Sequence, residues 1–192
     1  MEKDLFFLKK TFQLAKKAEG FTSPNPLAGA LFVKNNKIIA SGFHKKAGAA
    51  HAEIEAIKNS SVSLRGSTLY VNLEPCYHFG KTPPCVDEII KRGIKRVVVS
   101  NIDPNPRVNG KSIKKMRENN IEVKVGLCRK EGKVLNEVFF KNMKKNLPFV
   151  TVKVAQSLDG KIATRRGASK WITEKRARLY SRSLRDKYDA VL

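Results

Sequence analysis

Apolar residues at helical spacing open the chain. Leu5, Leu8, Phe12 and Ala15 recur every three or four positions, which predicts an amphipathic helix with Asp4 as N-cap and Gly20 as its stop. A turn-rich stretch, Thr22-Ser23-Pro24-Asn25-Pro26, separates it from two short runs, Leu27 to Val33 and Ile38 to Ser41. Asn35-Asn36 lies between those runs, so together they read as a β-hairpin. His51 to Ile57 has a helical pattern. Strand and helix signals then alternate: strand Thr68 to Leu73, helix Val86 to Arg92, strand Arg96 to Ser100, helix Ile113 to Glu118, strand Ile121 to Val125, and a helix from Lys130. Such alternation predicts an α/β domain whose sheet is covered by helices.

The pattern resets near Asn146 to Pro148. Phe149 to Ala155 carries alternating β-branched residues and reads as a new strand, followed by the turn Ser157-Leu158-Asp159-Gly160. The expected division is therefore residues 1–146 and residues 147–192. The closing Asp189-Ala190-Val191-Leu192 reads as the start of another strand cut short. A segment of forty-odd residues rarely builds a core of its own.

Composition narrows the class. No apolar run approaches the roughly 20 residues of a membrane span, and the N-terminus lacks the continuous apolar stretch of a signal peptide, so a cytoplasmic protein with no membrane partner is expected. Three cysteines, Cys76, Cys85 and Cys128, are too few for a disulfide scaffold and point to metal binding or burial, with Cys128 read as structural. The net charge of +22, from 39 basic and 17 acidic residues, raises a nucleic-acid reading. Yet the lysines are spread along the whole length without interleaved aromatics, and asparagine is also abundant. The charge reads as a solvated surface set by a Lys- and Asn-rich codon usage, with no specific nucleic-acid partner.

Chemistry concentrates in His51-Ala52-Glu53 and in the run from Glu74-Pro75-Cys76 to Pro83-Pro84-Cys85. One imidazole and two thiolates are a three-ligand zinc set that leaves the fourth position of a tetrahedron to water. Glu53 is placed to shuttle the proton, provided that His51 stands at the helix start and not in mid-helix, where positions i and i+2 diverge. Pro83-Pro84 puts Cys85 at a helix start, and Cys76 follows the C-terminal edge of a strand. A cysteine taken alone is more often a core residue, and His-x-Glu taken alone occurs by chance. In this order they form the zinc-deaminase signature, apart from the cysteine spacing. His78 reads as a wall of that site.

On these residues the chain resembles the bifunctional riboflavin-biosynthesis deaminase/reductase family, within the cytidine-deaminase-like fold. Cytidine and tRNA deaminases have two residues between their cysteines, whereas eight intervene here, in the run Pro-Cys-x-His-x-Gly-x-Thr-Pro-Pro-Cys. The resemblance extends through Asp103-Pro104-Asn105-Pro106, Leu135-Asn136-Glu137 and Ser157-Leu158-Asp159-Gly160-Lys161. It implies a three-layer α/β/α deaminase domain followed by a truncated dihydrofolate-reductase-like α/β segment. It also implies hydrolysis of the 2-amino group of 2,5-diamino-6-ribosylamino-4(3H)-pyrimidinone 5′-phosphate to give 5-amino-6-(5-phosphoribosylamino)uracil. Zinc held by His51, Cys76 and Cys85 would activate water, and Glu53 would carry its proton to the leaving amine. Asn25, His44, Lys81, Asp103 and Asn105 would line the substrate pocket, the Lys81 ammonium suiting the 5′-phosphate.

In the second segment the resemblance places Ala155, Trp171 and Thr173 at NADPH positions, and Ser169 and Arg185 at positions for the reductase substrate. The family's reductase domain continues beyond the sequence given, so reduction is expected only from a longer bifunctional protein; a chain that ends here keeps the deaminase alone. A homo-oligomer is compatible with the resemblance. Two rivals stand beside this reading. One is a nucleic-acid (tRNA) base deaminase, favoured by charge and opposed by the cysteine spacing. The other is a zinc-stabilised module without catalysis, which needs a fourth protein ligand, for which His78 is the candidate.

Overall fold

The computed structural model describes residues 2–79 and 83–191. The chain divides into two compact units, Met1–Pro148 and Phe149–Leu192.

The first unit is built on a five-stranded sheet in the order β2-β1-β3-β4-β5, with β1 (Gly29–Lys34), β2 (Lys37–Phe43), β3 (Thr68–Leu73), β4 (Arg96–Asn101) and β5 (Glu122–Val125). β1 pairs antiparallel with β2 and β3, while β3, β4 and β5 run parallel. The β1–β2 connection is the Asn35-Asn36 turn, with φ of 51° and 59°. Asparagine tolerates that left-handed backbone, and a turn of this hand matches the twist of the flanking strands.

Both faces of the sheet are covered, which explains why its central strands are almost continuously apolar. Side chains alternate across the pleat. On one side Ala30, Phe32, Leu69, Val71, Val97 and Val99 pack beneath α2 (Ala52–Lys58), α3 (Cys85–Lys91) and α4 (Lys111–Glu118). On the other, Leu31, Val33, Tyr70 and Val98 pack against Phe7, Leu8 and Phe12 of α1 (Glu2–Lys16), with Leu135 of α5 (Arg129–Leu135) beside them. This is the three-layer α/β/α arrangement. Gly42 lets α2 lie close on β2, since a Cβ there would run into the backbone of Ala52 and Ala56. α6 (Glu137–Lys145) completes the unit.

Asp4 is not the N-cap of α1. It lies inside the helix and is buried, its carboxylate held by the two terminal guanidinium nitrogens of Arg96 at 2.8 Å, by the Tyr70 hydroxyl at 2.9 Å and by Lys124 at 3.2 Å. A polar residue beside apolar neighbours can mark a cap or a buried ion pair, and here the long-range partner decides. The Arg96 guanidinium, above all, holds the Asp4 carboxyl well below the usual carboxylate range. Asp4→Asn should cost about 2 kcal/mol in urea unfolding, less than a fully buried pair because Arg96 keeps Glu122 and partial exposure. The folded-state value lies below the unfolded one, so this contribution is complete above the ordinary carboxylate value and is lost as the pH falls through the folded one. The gap between parent and variant should therefore hold steady at roughly pH 5–8 and narrow in stronger acid.

In the second unit the expected strands do not form. Residues 149–155 are without regular structure, and Val150, Val152 and Val154 are exposed. Residues 189–191 form no strand either, and Leu192 lies outside the described residues. A strand needs a ladder partner, and among the described residues this unit supplies none; β-branched alternation alone cannot replace one. Its regular elements are α7 (Lys175–Ser183) and a 3₁₀ turn, Leu184–Lys187.

Candidate active site

The site is assembled where β3 and β4 end. His51 has extended backbone (φ −69°, ψ 162°) and precedes α2 as its N-cap, its carbonyl accepting the first helical bond from Glu55 N–H at 2.9 Å. That geometry meets the condition on which the pairing of His51 with Glu53 depends. Cys76 follows β3 by way of Glu74-Pro75, and Cys85 is the first residue of α3. The backbone N–H of Cys85 donates to Cys76 Sγ at 3.1 Å, so the helix start supports the Cys76 sulfur and not Cys85's own. Cys85 Sγ lies 3.3 Å from His51 Nδ1.

The donor atoms of His51, Cys76 and Cys85 all lie within 4.8 Å of one another. Tetrahedral zinc, with bonds of about 2.0–2.3 Å, spaces its donors roughly 3.5–3.8 Å apart, so this set fits the metal with little adjustment. His78 is not part of the set, and among the described residues no fourth protein ligand joins it. The charge pattern agrees. Hydrogen bonding from Cys85, followed by His51, brings the Cys76 thiol down to about 4, while the Cys85 thiol that shares its proton with Cys76 is pushed up. The Cys76 sulfur in turn raises His51 to about 9. Zinc binding displaces the protons that these groups hold between them.

Glu53 is buried, and burial raises its carboxyl to about 7. It opens into a cleft of about 180 Å³ together with His51 and Cys76. Asn25, His44, Asp103 and Asn105 line the same cleft, and the structure thus brings together four of the five expected pocket residues. Lys81 lies outside the described residues. His44 Nδ1 donates to the Ala50 carbonyl at 3.0 Å, which can only accept, so Nε2 is left to accept from the Asn25 amide at 3.0 Å. That fixes the Asn25 amide with its nitrogen toward His44. Burial lowers the His44 pKa, in keeping with a neutral ring. Asp103 is raised to about 6, chiefly by burial. His78 does line the cleft.

Sequence reasoning gave no role to several residues that shape these walls. Asn72 accepts from Gly29 N–H at 2.7 Å and donates to the Leu27 carbonyl at 2.8 Å. Asn136 clamps the same Leu27 from the other side, accepting from its N–H at 2.8 Å and donating to its carbonyl at 2.9 Å. Phe139 closes one side of the cleft. The signal for Asn72 was available: a polar residue in the apolar run of a strand buried on both faces must have partners.

In the second unit Arg178 lies over the Trp171 ring at 4.2 Å and donates to the Thr173 carbonyl at 2.5 Å, which links two of the expected NADPH residues. Among the described residues no side-chain hydrogen bond or ring contact joins Ala155, Ser169 or Arg185 to that pair.

Comparison with known proteins agrees with this geometry. Residues 1–101 match the family described as the cytidine and deoxycytidylate deaminase zinc-binding region, and residues 148–192 match the RibD C-terminal domain. The diaminohydroxyphosphoribosylamino-pyrimidine deaminase of Buchnera aphidicola is 49% identical over 146 residues, covering 76% of this chain and 99% of that protein. The chain belongs to the RibD family. The riboflavin biosynthesis protein RibD of Aquifex aeolicus is 51% identical over 191 residues, which is 100% of this chain and 54% of that protein. The crystal structure of the RibD-type deaminase/reductase of Thermotoga maritima superposes with a TM-score of 0.92 at 47% identity, covering 97% of this chain and 54% of that one. The chain thus spans about half the length of the bifunctional RibD relatives it matches. The matching family model is a zinc-binding region, and among the described residues His51, Cys76 and Cys85 are the group that could hold the ion.

Proposed function

We propose that this chain catalyses the deaminase step of riboflavin biosynthesis, with water replacing the 2-amino group of 2,5-diamino-6-ribosylamino-4(3H)-pyrimidinone 5′-phosphate. The products are ammonia and 5-amino-6-(5-phosphoribosylamino)uracil. One observation carries the reading: a three-donor zinc set beside a buried carboxyl, at a cleft in a chain of which 76% is similar to a deaminase of that name, over 99% of that protein's length. Zinc, when bound, supplies a Lewis acid that makes water acidic near neutral pH. Glu53 accepts a proton from the attacking water and delivers it to the departing nitrogen as the C–O bond forms and the C–N bond breaks. Asn25, through the amide orientation set by His44, and Asp103 with Asn105 orient the pyrimidine; Lys81 meets the phosphate.

The division of labour proposed here gives deamination to residues 1–146 and places residues 147–192 at the start of a reductase domain. In a protein that carries the remainder of that domain, Ala155, Trp171 and Thr173 would meet NADPH and Ser169 with Arg185 the reductase substrate. The reading requires no nucleic-acid partner. Among the described residues no helix is long and apolar enough to cross a membrane. The use of unpaired thiols as ligands suits the reducing cytoplasm. The test is ammonia release from the diaminopyrimidinone ribosyl phosphate by the zinc-loaded chain. Stoichiometric release is expected; zinc-loaded protein that releases none would overturn the assignment.

A further inference from the structure

We infer that Glu74 is a positioning residue for the substrate cleft: its buried carboxylate ties the loop carrying Asp103 and Asn105 to the end of the strand that leads to Cys76. The inference rests on the deaminase reading for its kinetic part. Glu74 is 3% exposed. Its Oε2 accepts from the backbone N–H of Asp103 at 3.2 Å and of Gly110 at 2.9 Å, and its Oε1 accepts from the Ser112 hydroxyl at 2.6 Å. Every partner is a donor, and all lie on the segment from Asp103 into the first turn of α4.

The need for this carboxylate follows from the local sequence. α4 begins after Gly110, whose φ of 87° suits glycine and which brings no side chain to cap the exposed N–H groups of the first turn. Glu74, just past the end of β3, serves as that cap, its Oε1 accepting from the Ile113 N–H at 3.5 Å, and the same Oε2 that receives Gly110 also receives Asp103. The hold passes along the loop: Asp103 Oδ1 accepts from Asn105 N–H at 2.8 Å, and Asn105 Oδ1 accepts from Arg107 N–H at 3.0 Å. Asp103 and Asn105 line the cleft, so their placement depends on a chain of acceptors that starts at Glu74. Glu74, Asp103 and Asn105 thus couple the wall of the cleft to the segment that follows β3, Glu74 standing two positions before Cys76.

The test is a double-mutant cycle with zinc content measured throughout. Glu74→Ala should raise KM for the diaminopyrimidinone ribosyl phosphate tenfold or more, change kcat less, and keep one zinc per chain. In an Asp103→Ala/Asn105→Ala background the same change should alter KM less than twofold, because the residues through which Glu74 acts are gone. Glu74→Asp, which keeps the charge but withdraws the carboxylate by one methylene, should raise KM in the same direction, and takes the place of the alanine variant in the cycle if that variant does not fold. Glu74 also lines the cleft, so equal losses in both backgrounds would mean a general structural role or a direct contact with substrate; either would overturn the inference, as would loss of zinc or an unchanged KM. Amide hydrogen exchange gives a readout independent of activity: exchange at Asp103 and Gly110 should quicken in the variant while β3 amides keep their protection. If the parent releases no ammonia the deaminase reading fails; if those two amides exchange no faster, the positioning role fails.

Discussion

Cys85→Ala protein should emerge from dialysis against a chelator without zinc, and should release no ammonia when zinc is restored at stoichiometric concentration. Cys85 is fully buried and sits 3.3 Å from the His51 nitrogen, so its sulfur has no substitute within reach among the described residues. Removing even an outer-shell partner of a zinc ligand costs roughly 10–100-fold in affinity. Loss of one of three protein ligands should exceed about 100-fold. Far-UV circular dichroism should show the sheet and helices intact, since a cysteine-to-alanine change leaves only a small void. Cys128→Ala is the control. Cys128 packs with the α1 side of the sheet, away from the three donors, and this variant should hold one zinc per chain. Zinc retained by the Cys85 variant would show that the metal site lies elsewhere.

Glu53→Gln separates proton transfer from metal binding. Glutamine matches the shape of glutamate but cannot carry the proton from water to amine. Turnover should fall by about 10³-fold, within the ~10²–10⁴ range for loss of a positioned acid–base group. Zinc content and KM should stay near those of the parent, because Glu53 is not one of the three donors. A variant that retains more than a tenth of the parental kcat would remove Glu53 from the reaction and turn attention to the other titratable groups of the cleft, among them the Asp103 carboxyl raised by burial.

Much of this was legible in the sequence, for identifiable reasons. The strands of the sheet showed because each is short, apolar and bounded by turn residues, and the Asn35-Asn36 turn fixed the hairpin. The metal ligands showed because thiolate and imidazole at strand and helix ends have few other uses in that order. Asp4 was misread because its partner Arg96 lies 92 residues away, a separation that periodicity does not carry. The strands expected at 149–155 and 189–192 required neighbours to pair with. Glu74 and Asn136 escaped for the same reason as Asp4: each acts on backbone far along the chain, and nothing in its own neighbourhood announces the distant partner.

The clamp of Asn136 on Leu27 has a consequence for the smallest working unit. The residues that match the zinc-binding region of the cytidine and deoxycytidylate deaminases stop at 101, and all three ligands and Glu53 lie before that point. Yet Leu27, two positions from Asn25, is held in both its N–H and its carbonyl by a residue 109 positions downstream. Metal capture and substrate recognition therefore have different minimal lengths of chain: a piece cut after β4 would carry a complete set of zinc donors around an unfinished mould for the pyrimidine.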